Sequence, residues 1–314
     1  MRPRFKLLII STLIIVSLII IIIFSLPSRS LNKTSAQLQI VTTLFPLADI
    51  AQNIGGEEVT VLRLLKPGLD AHTYEPSPLD FQKINQADIF IYTGPFMEPW
   101  AEKIIQSLNN PELLVINASE GVNFLDATGE LNTESDHQGL DPHVWLDLGN
   151  LEVMAKNIGE GIKLKLSSEE EAIAVRQNDY LSQIRELDEH YQSELANCRH
   201  RQFIYSGHYA FAYLSQRYNL SYQSLYGLSP DAEPSAAQVI EFINKIKEAE
   251  VNYIFFEELL NPRLTDTLKK ETGITPLALN DAHNLKADEL AAGKSLLAVF
   301  QDNLATLKLG LECY

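Results

Sequence analysis

The residues of this chain best suited to chemistry are three of its seven histidines. His72 lies in GLDAHTYEPSP, His143 in DPHVWLD and His208 in FIYSGHYAFAYL. Neutral imidazole is a good ligand for zinc and related transition ions, at ~2.0–2.1 Å from the metal. Separations of 71 residues (72 to 143) and 65 residues (143 to 208) exclude a local zinc finger. The ligands would therefore come from distant loops of a protein that folds before the metal arrives.

Three other histidines are not expected to bind metal. His137 stands in a short polar loop, ATGELNTESDHQGLD, and His190 falls on a predicted connecting helix. His200 lies between Arg199 and Arg201, which would repel a cation.

The surroundings of the three candidate ligands indicate stiff loops at the ends of strands. His72 follows a predicted strand, Val59 to Leu65, and His208 stands immediately after another, at the opening of a helix. Asp147, after His143, could orient that imidazole or cap the next helix. Ligands of open α/β sheets gather at the carboxyl ends of the strands, which is where these loops are predicted to lie.

Strand-like and helix-like segments alternate through both halves of the chain, which predicts an α/β fold of two similar lobes with parallel sheets. The predicted strands are residues 38–44, 59–65, 89–92 and 113–116 in the first half, and 203–205, a segment near Tyr222, 253–256 and 276–279 in the second.

A stretch from Ser168 to Asn197 without glycine or proline separates the halves and predicts one long, rigid connecting helix. Ser168 with Glu171 would form a capping box at its start. We therefore expect an N-terminal α/β lobe at 37–167, a connecting helix at 168–197 and a C-terminal α/β lobe at 198–314, with the metal site in the cleft between the lobes.

Residues 1–36 are interpreted as a signal peptide or an uncleaved N-terminal membrane anchor. Arg2, Arg4 and Lys6 precede an apolar run from Leu7 to Leu26, which is typical of an export signal. We expect the protein to be periplasmic or otherwise extracytoplasmic. In an oxidising compartment Cys198 and Cys313 could form one disulfide, and two unpaired thiols are the alternative.

The net charge is strongly negative, with 41 acidic against 25 basic residues and a formal charge of −16. Such a surface repels phosphate backbones, so nucleic acid is not an expected partner.

Four motifs in order, GLDAHTYEPSPLDF, DPHVWLD, SGHYAFAYLSQRYNL and GLSPDAEPSA, resemble the zinc-uptake periplasmic binding proteins of the ABC-transporter cluster A-I family. The resemblance covers nearly everything from Leu38 onward. It implies that His72, His143 and His208 hold Zn²⁺ between two lobes. It also implies delivery of the ion to a cognate ABC permease in the inner membrane, by a chain expected to be monomeric and not an enzyme.

The resemblance leaves the fourth ligand open, because the loop that would supply it reads LALNDAHNL. Direct alignment places Asn280 at the expected position. We favour Asp281, with His283 and bound water as competitors. Glu257 is interpreted as a carboxylate that does not bind the metal.

Three alternative functions remain open from the sequence, and one of them is an anchored adhesion or scaffold module whose zinc is structural. Manganese-type members of the family usually have a glutamate where this chain has His208, so Mn²⁺ or iron is the alternative cargo, although nitrogen favours zinc. A zinc-dependent hydrolase would need a general base, for which Glu257 or Glu75 are the candidates, but no HExxH-type motif is present.

Overall fold

The computed structural model describes residues 37–126, 139–228, 234–257 and 262–314, and within them eight strands form two sheets of four. The first sheet contains β1 (Leu38–Thr42), β2 (Val59–Arg63), β3 (Ile89–Tyr92) and β4 (Leu114–Asn117). The second contains β5 (Gln202–Ser206), β6 (Ser221–Ser224), β7 (Tyr253–Glu257) and β8 (Thr275–Leu279).

Both sheets have the same strand order, β2-β1-β3-β4 and β6-β5-β7-β8, and all neighbouring strands are parallel. The predicted fold of two similar parallel α/β lobes is therefore confirmed. In such sheets a crevice opens at the carboxyl ends where the direction of winding reverses. Here the reversals lie between β1 and β3 and between β5 and β7.

Helices cover the sheets and connect the lobes. In chain order they are α1 (Phe45–Gly55), α2 (Pro78–Gln86), α3 (Ala101–Ser107), α4 (Leu148–Lys165), α5 (Glu170–Glu194), α6 (Ala212–Arg217), α7 (Ala236–Glu248), α8 (Pro262–Thr272), α9 (Ala287–Ala291) and α10 (Leu296–Gly310).

The predicted connecting helix is α5, and it begins later than expected. Residues Ser167–Glu169 form a 3-10 turn, and the cap position Glu169 makes no side-chain capping bond, so the predicted capping box at Ser168 is wrong. At 1.5 Å per residue the 25 residues of α5 span about 37 Å.

Helix α4, whose extent the sequence did not predict, packs against α5 and β4, and one glycine at each contact makes this possible. A Cβ on Gly159 would stand 2.4 Å from the amide nitrogen of Gln177, and one on Gly161 would stand 2.2 Å from Ile116. Glycine weakens an isolated helix, but here it permits close packing.

One continuous apolar cluster contains residues of both lobes and of α5, among them Leu47, Ile184, Phe203 and Phe300. Separating the lobes would expose this shared core to water, which is unfavourable. The Cys198–Cys313 disulfide adds a covalent tie between the segment after α5 and the end of the chain.

Hydrogen bonds also join the lobes. The Asn284 side chain donates to the carbonyls of Lys66 and Leu69 at 2.7 and 2.8 Å. The buried Trp145 indole donates to the Asp281 carbonyl at 2.7 Å. The loop after β8 is therefore fixed against the first lobe.

No helix within the described residues combines the length and apolar character needed to cross a bilayer. Residues 1–36, for which we expect a signal peptide or membrane anchor, lie outside the described residues, as do His137 with most of its loop and part of the GLSPDAEPSA motif.

We predict that Asp49 makes the stability of this fold depend on pH. Asp49 on α1 accepts hydrogen bonds from the Tyr180 hydroxyl of α5 and from the backbone N–H of Leu296 at the start of α10. Burial outweighs these bonds and raises the pKa of Asp49 to about 6. Because the folded pKa lies above the unfolded value, the contribution is full below about pH 4 and is lost as the pH rises through 6, by up to about 3 kcal/mol.

Urea unfolding of wild type and Asp49→Asn at pH 4.5 and 7.5 tests this. The variant should gain stability relative to wild type as the pH rises, because all other titrating groups are shared. Asp179→Asn, an exposed aspartate on α5, should track wild type at both pH values. A difference for Asp49→Asn that is the same at both would contradict the prediction.

Candidate metal centre

The structure brings His72, His143 and His208 together between the lobes. The Nε2 atom of His143 lies 3.1 Å from Nε2 of His72 and 3.1 Å from Nε2 of His208. His143 and His208 are fully buried and His72 is partly exposed. Two nitrogens bound at ~2.0–2.1 Å to one tetrahedral ion stand about this far apart.

Carboxylates contact the Nδ1 side of the His143 and His208 rings. Asp141 contacts His143 Nδ1 at 2.7 Å and accepts the His143 backbone N–H at 2.9 Å. Glu257 does the same for His208, at 2.6 Å to Nδ1 and 3.1 Å to the backbone N–H. A bond on Nδ1 leaves Nε2 as the nitrogen that faces the cleft, which is how metal-binding histidines are commonly oriented.

The position of Asp70 differs, because it contacts only the backbone of its histidine loop. Its Oδ1 accepts the N–H groups of His72 at 2.8 Å and Thr73 at 3.3 Å. This Asx turn sets the direction of the loop through its backbone.

Local sequence explains the other two placements. His143 precedes a 3-10 turn, Val144–Leu146, that is buried in the shared core. Glycine at 207 lets Glu257 approach His208, because a Cβ there would stand 2.8 Å from Glu257 Oε2.

The electrostatics of the centre favour a cation. Burial lowers the pKa of His208, but the Glu257 carboxylate and then Asp281 outweigh it and raise that pKa to about 9. Burial raises the pKa of Asp141 to about 8, although the His143 backbone bond opposes this. A metal cation placed between these groups would stabilise the ionised form of Asp141 and would replace the proton that His208 carries in its absence.

Hydrogen-bond roles follow from this geometry. If His143 donates through Nδ1 to Asp141, its Nε2 is an acceptor for protons on both neighbouring Nε2 atoms. A metal ion bound here would replace those protons, so binding and proton release are coupled.

Among the candidates for the fourth ligand, the Asp281 carboxylate comes nearest to the three rings. Its Oδ2 lies 3.4 Å from His208 Nε2. His283 contacts both Asp281 oxygens through Nδ1 at 2.6 Å. The Asn280 side chain instead accepts the backbone N–H of Ala282 at 2.8 Å.

The electrostatic coupling of Asp281 and His283 is strong. Burial acts against both charges, yet His283 lowers the pKa of Asp281 to about 2, and Asp281 raises the pKa of His283.

Of the two roles considered for Asp147, the structure shows the helix cap. Its Oδ1 accepts the backbone N–H of Asn150 at 2.9 Å and contacts Arg217 at 3.1 Å. Asp141 orients His143 in its place, and sequence reasoning missed it.

A repeated pattern could have identified the missed aspartates. Three loops contain Asp-x-His, at 70–72, 141–143 and 281–283, and in each the aspartate Oδ1 accepts the backbone N–H of the histidine. A fourth instance, 188–190, lies on α5, where Asp188 pairs with Arg217 instead.

The two candidate bases of a hydrolase are poorly placed for that role. Glu257 lies on the Nδ1 side of His208, away from the converging Nε2 atoms, and is buried. Glu75 is exposed on the loop of His72.

Three comparisons place these observations among known proteins. The chain is 30% identical over 292 residues to the zinc-binding lipoprotein AdcA of Streptococcus pneumoniae, covering 91% of this chain and 58% of that relative. It is 29% identical over 290 residues to the high-affinity zinc uptake system protein ZnuA of Bacillus subtilis, covering 89% of each. The Zn(II)-bound ZnuA-like domain of S. pneumoniae AdcA matches with a TM-score of 0.77 and 30% identity, over 88% of this chain and 100% of that domain.

A family model covers most of the chain. The model described as zinc-uptake complex component A, periplasmic, matches residues 40–310. The chain belongs to this ZnuA family.

Proposed function

We propose that this chain is an extracytoplasmic solute-binding protein that captures Zn²⁺ and delivers it to an ABC-type metal importer. The observation that carries the proposal is the convergence of the Nε2 atoms of His72, His143 and His208. The Nε2 atom of His143 lies 3.1 Å from each of the other two. Asp281 completes the proposed ligand set as a buried carboxylate whose Oδ2 lies 3.4 Å from His208 Nε2. The relatives named as zinc-binding and zinc-uptake proteins support the same cargo.

The donor set favours zinc over manganese. Three imidazole nitrogens and one carboxylate suit Zn²⁺, whereas Mn²⁺ prefers sites dominated by oxygen. Mn²⁺ or iron remains the alternative cargo.

The proposed partners of this chain are the metal ion and the membrane permease of the importer. The family description as periplasmic and the lipoprotein name of a relative support a location outside the cytoplasm. A capture protein needs a buried site and no catalytic group, and Glu257 is already engaged with His208. We therefore propose no enzymatic activity.

Competitive titration of the metal-stripped protein with Zn²⁺ and Mn²⁺ tests the cargo and the site. Wild type should prefer zinc. His143→Ala should lose more than about 100-fold in zinc affinity, since residues that only orient a ligand already cost 10–100-fold. His208→Glu should shift the zinc-to-manganese ratio toward manganese. A wide preference of wild type for manganese, or full affinity in His143→Ala, would reject the proposal.

Asp141 is predicted to act through His143. Asp141→Asn keeps the shape of the side chain but weakens the bond to Nδ1, so zinc affinity should fall about 10- to 100-fold. Asp147, six residues away, bonds the backbone of Asn150 and the side chain of Arg217. The zinc affinity of Asp147→Asn should therefore stay within about threefold of wild type. Equal affinities of the two variants would refute the role of Asp141.

Removal of the metal should leave the fold intact. The apolar core and the inter-lobe hydrogen bonds do not pass through the ion, whereas a structural zinc supplies folding energy outright. Far-UV circular dichroism should therefore be unchanged after chelation, and thermal unfolding should remain cooperative at a lower midpoint. Collapse of the fold on chelation would indicate a scaffold whose zinc is structural.

A further inference from the structure

His283 is built like the metal-facing histidines although it does not belong to the three-histidine cluster. Its Nδ1 contacts the Asp281 carboxylate at 2.6 Å, and its backbone N–H donates to the same side chain at 3.3 Å. His143 with Asp141 and His208 with Glu257 have this same two-point arrangement. In all three residues, Nδ1 is occupied by a carboxylate and Nε2 is directed elsewhere.

The Nε2 atom of His283 is buried and makes no hydrogen bond within the described part of the chain. The His283 side chain is 2% exposed. A buried polar atom without a partner is costly, so its position calls for a ligand.

The group that faces this nitrogen is the carboxylate of Asp70. Its Oδ2 lies 3.9 Å from His283 Nε2. A direct charged hydrogen bond would be only ~2.7–2.9 Å long. On the opposite side of the ring, Nδ1 lies 2.6 Å from the Asp281 carboxylate. Two ligands at ~2.0–2.2 Å from one tetrahedral ion stand ~3.3–3.5 Å apart, so the two donors, 3.9 Å apart here, would close by ~0.5 Å on a bound cation.

We infer that His283 Nε2 and Asp70 Oδ2 form a second binding position for a divalent transition cation, beside the three-histidine site. This inference rests on the proposed function and adds a separate position to it. Water would supply the remaining ligands, because the Asp70 side chain is 25% exposed. With only two protein ligands, this position binds more weakly than the principal one.

The two positions are connected through Asp281. Both oxygens of the Asp281 carboxylate contact His283 Nδ1 at 2.6 Å, and Oδ2 also lies 3.4 Å from His208 Nε2. Asp70 has a more exposed side chain than His208, Asp281 or His283. The second position therefore lies on the solvent side of the principal site.

Titration of the full-length chain, labelled with ¹⁵N in its histidine rings, with Zn²⁺ alone tests the inference. The first equivalent should move the Nε2 signals of His72, His143 and His208. The Nε2 signal of His283, assigned by its absence in His283→Gln, should make a separate shift when more zinc is added, beyond any change that zinc on the neighbouring Asp281 causes.

Asp70→Asn provides the decisive variant. The asparagine oxygen can still accept the backbone N–H groups of His72 and Thr73, whereas an amide nitrogen replaces the second oxygen. The later shift of His283 should be lost, while the first event reports that the protein is folded. Glu75→Gln removes one negative charge from the same loop and should retain both events.

Two results would overturn the second position: a His283 signal that makes no further shift after the first equivalent, or a later shift that persists in Asp70→Asn. Failure of the proposed function gives a different result, in which the first equivalent leaves His72, His143 and His208 unmoved.

Discussion

The centre depends on buried carboxylates that bond Nδ1 of His143 and of His208. Buried polar rings need hydrogen-bond partners, and several positive charges so close together would repel one another. Asp141 and Glu257 satisfy both needs at 2.7 and 2.6 Å. They also determine which nitrogen faces the cleft. The three Nε2 atoms can therefore converge before any metal is bound.

This convergence requires lobes that keep their relative position. A single apolar core extends through both lobes and α5, and Trp145 joins the segment of His143 to the loop of Asp281. Opening the cleft by a hinge would expose that core. We therefore expect entry and exit of the ion to involve local movement of loops, chiefly the loop of the partly exposed His72.

The two lobes have the same strand order but use the crevice at the reversal differently. In the second lobe, His208 follows β5 and Glu257 ends β7, so the crevice carries the metal-facing ring and its carboxylate. In the first lobe, Glu98 fills the crevice and accepts bonds from Thr43 and Thr93. Burial there raises the pKa of Glu98 to about 7. The equivalent crevice thus holds a metal-facing histidine in the second lobe and a closed polar network in the first.

The sequence by itself determined the α/β alternation, the existence of a long connecting helix and the three candidate histidines, because strand and helix periodicity and loop residues such as Gly68 and Pro142 are local properties. It did not give the extent of α4, whose glycines weaken a helix until Gln177 and Ile116 pack against them. Nor did it identify Asp141 as the partner of His143, and its preference for Asp281 left His283 and water as competitors. Those roles depend on distances between atoms contributed by both lobes, and only the tertiary structure sets such distances.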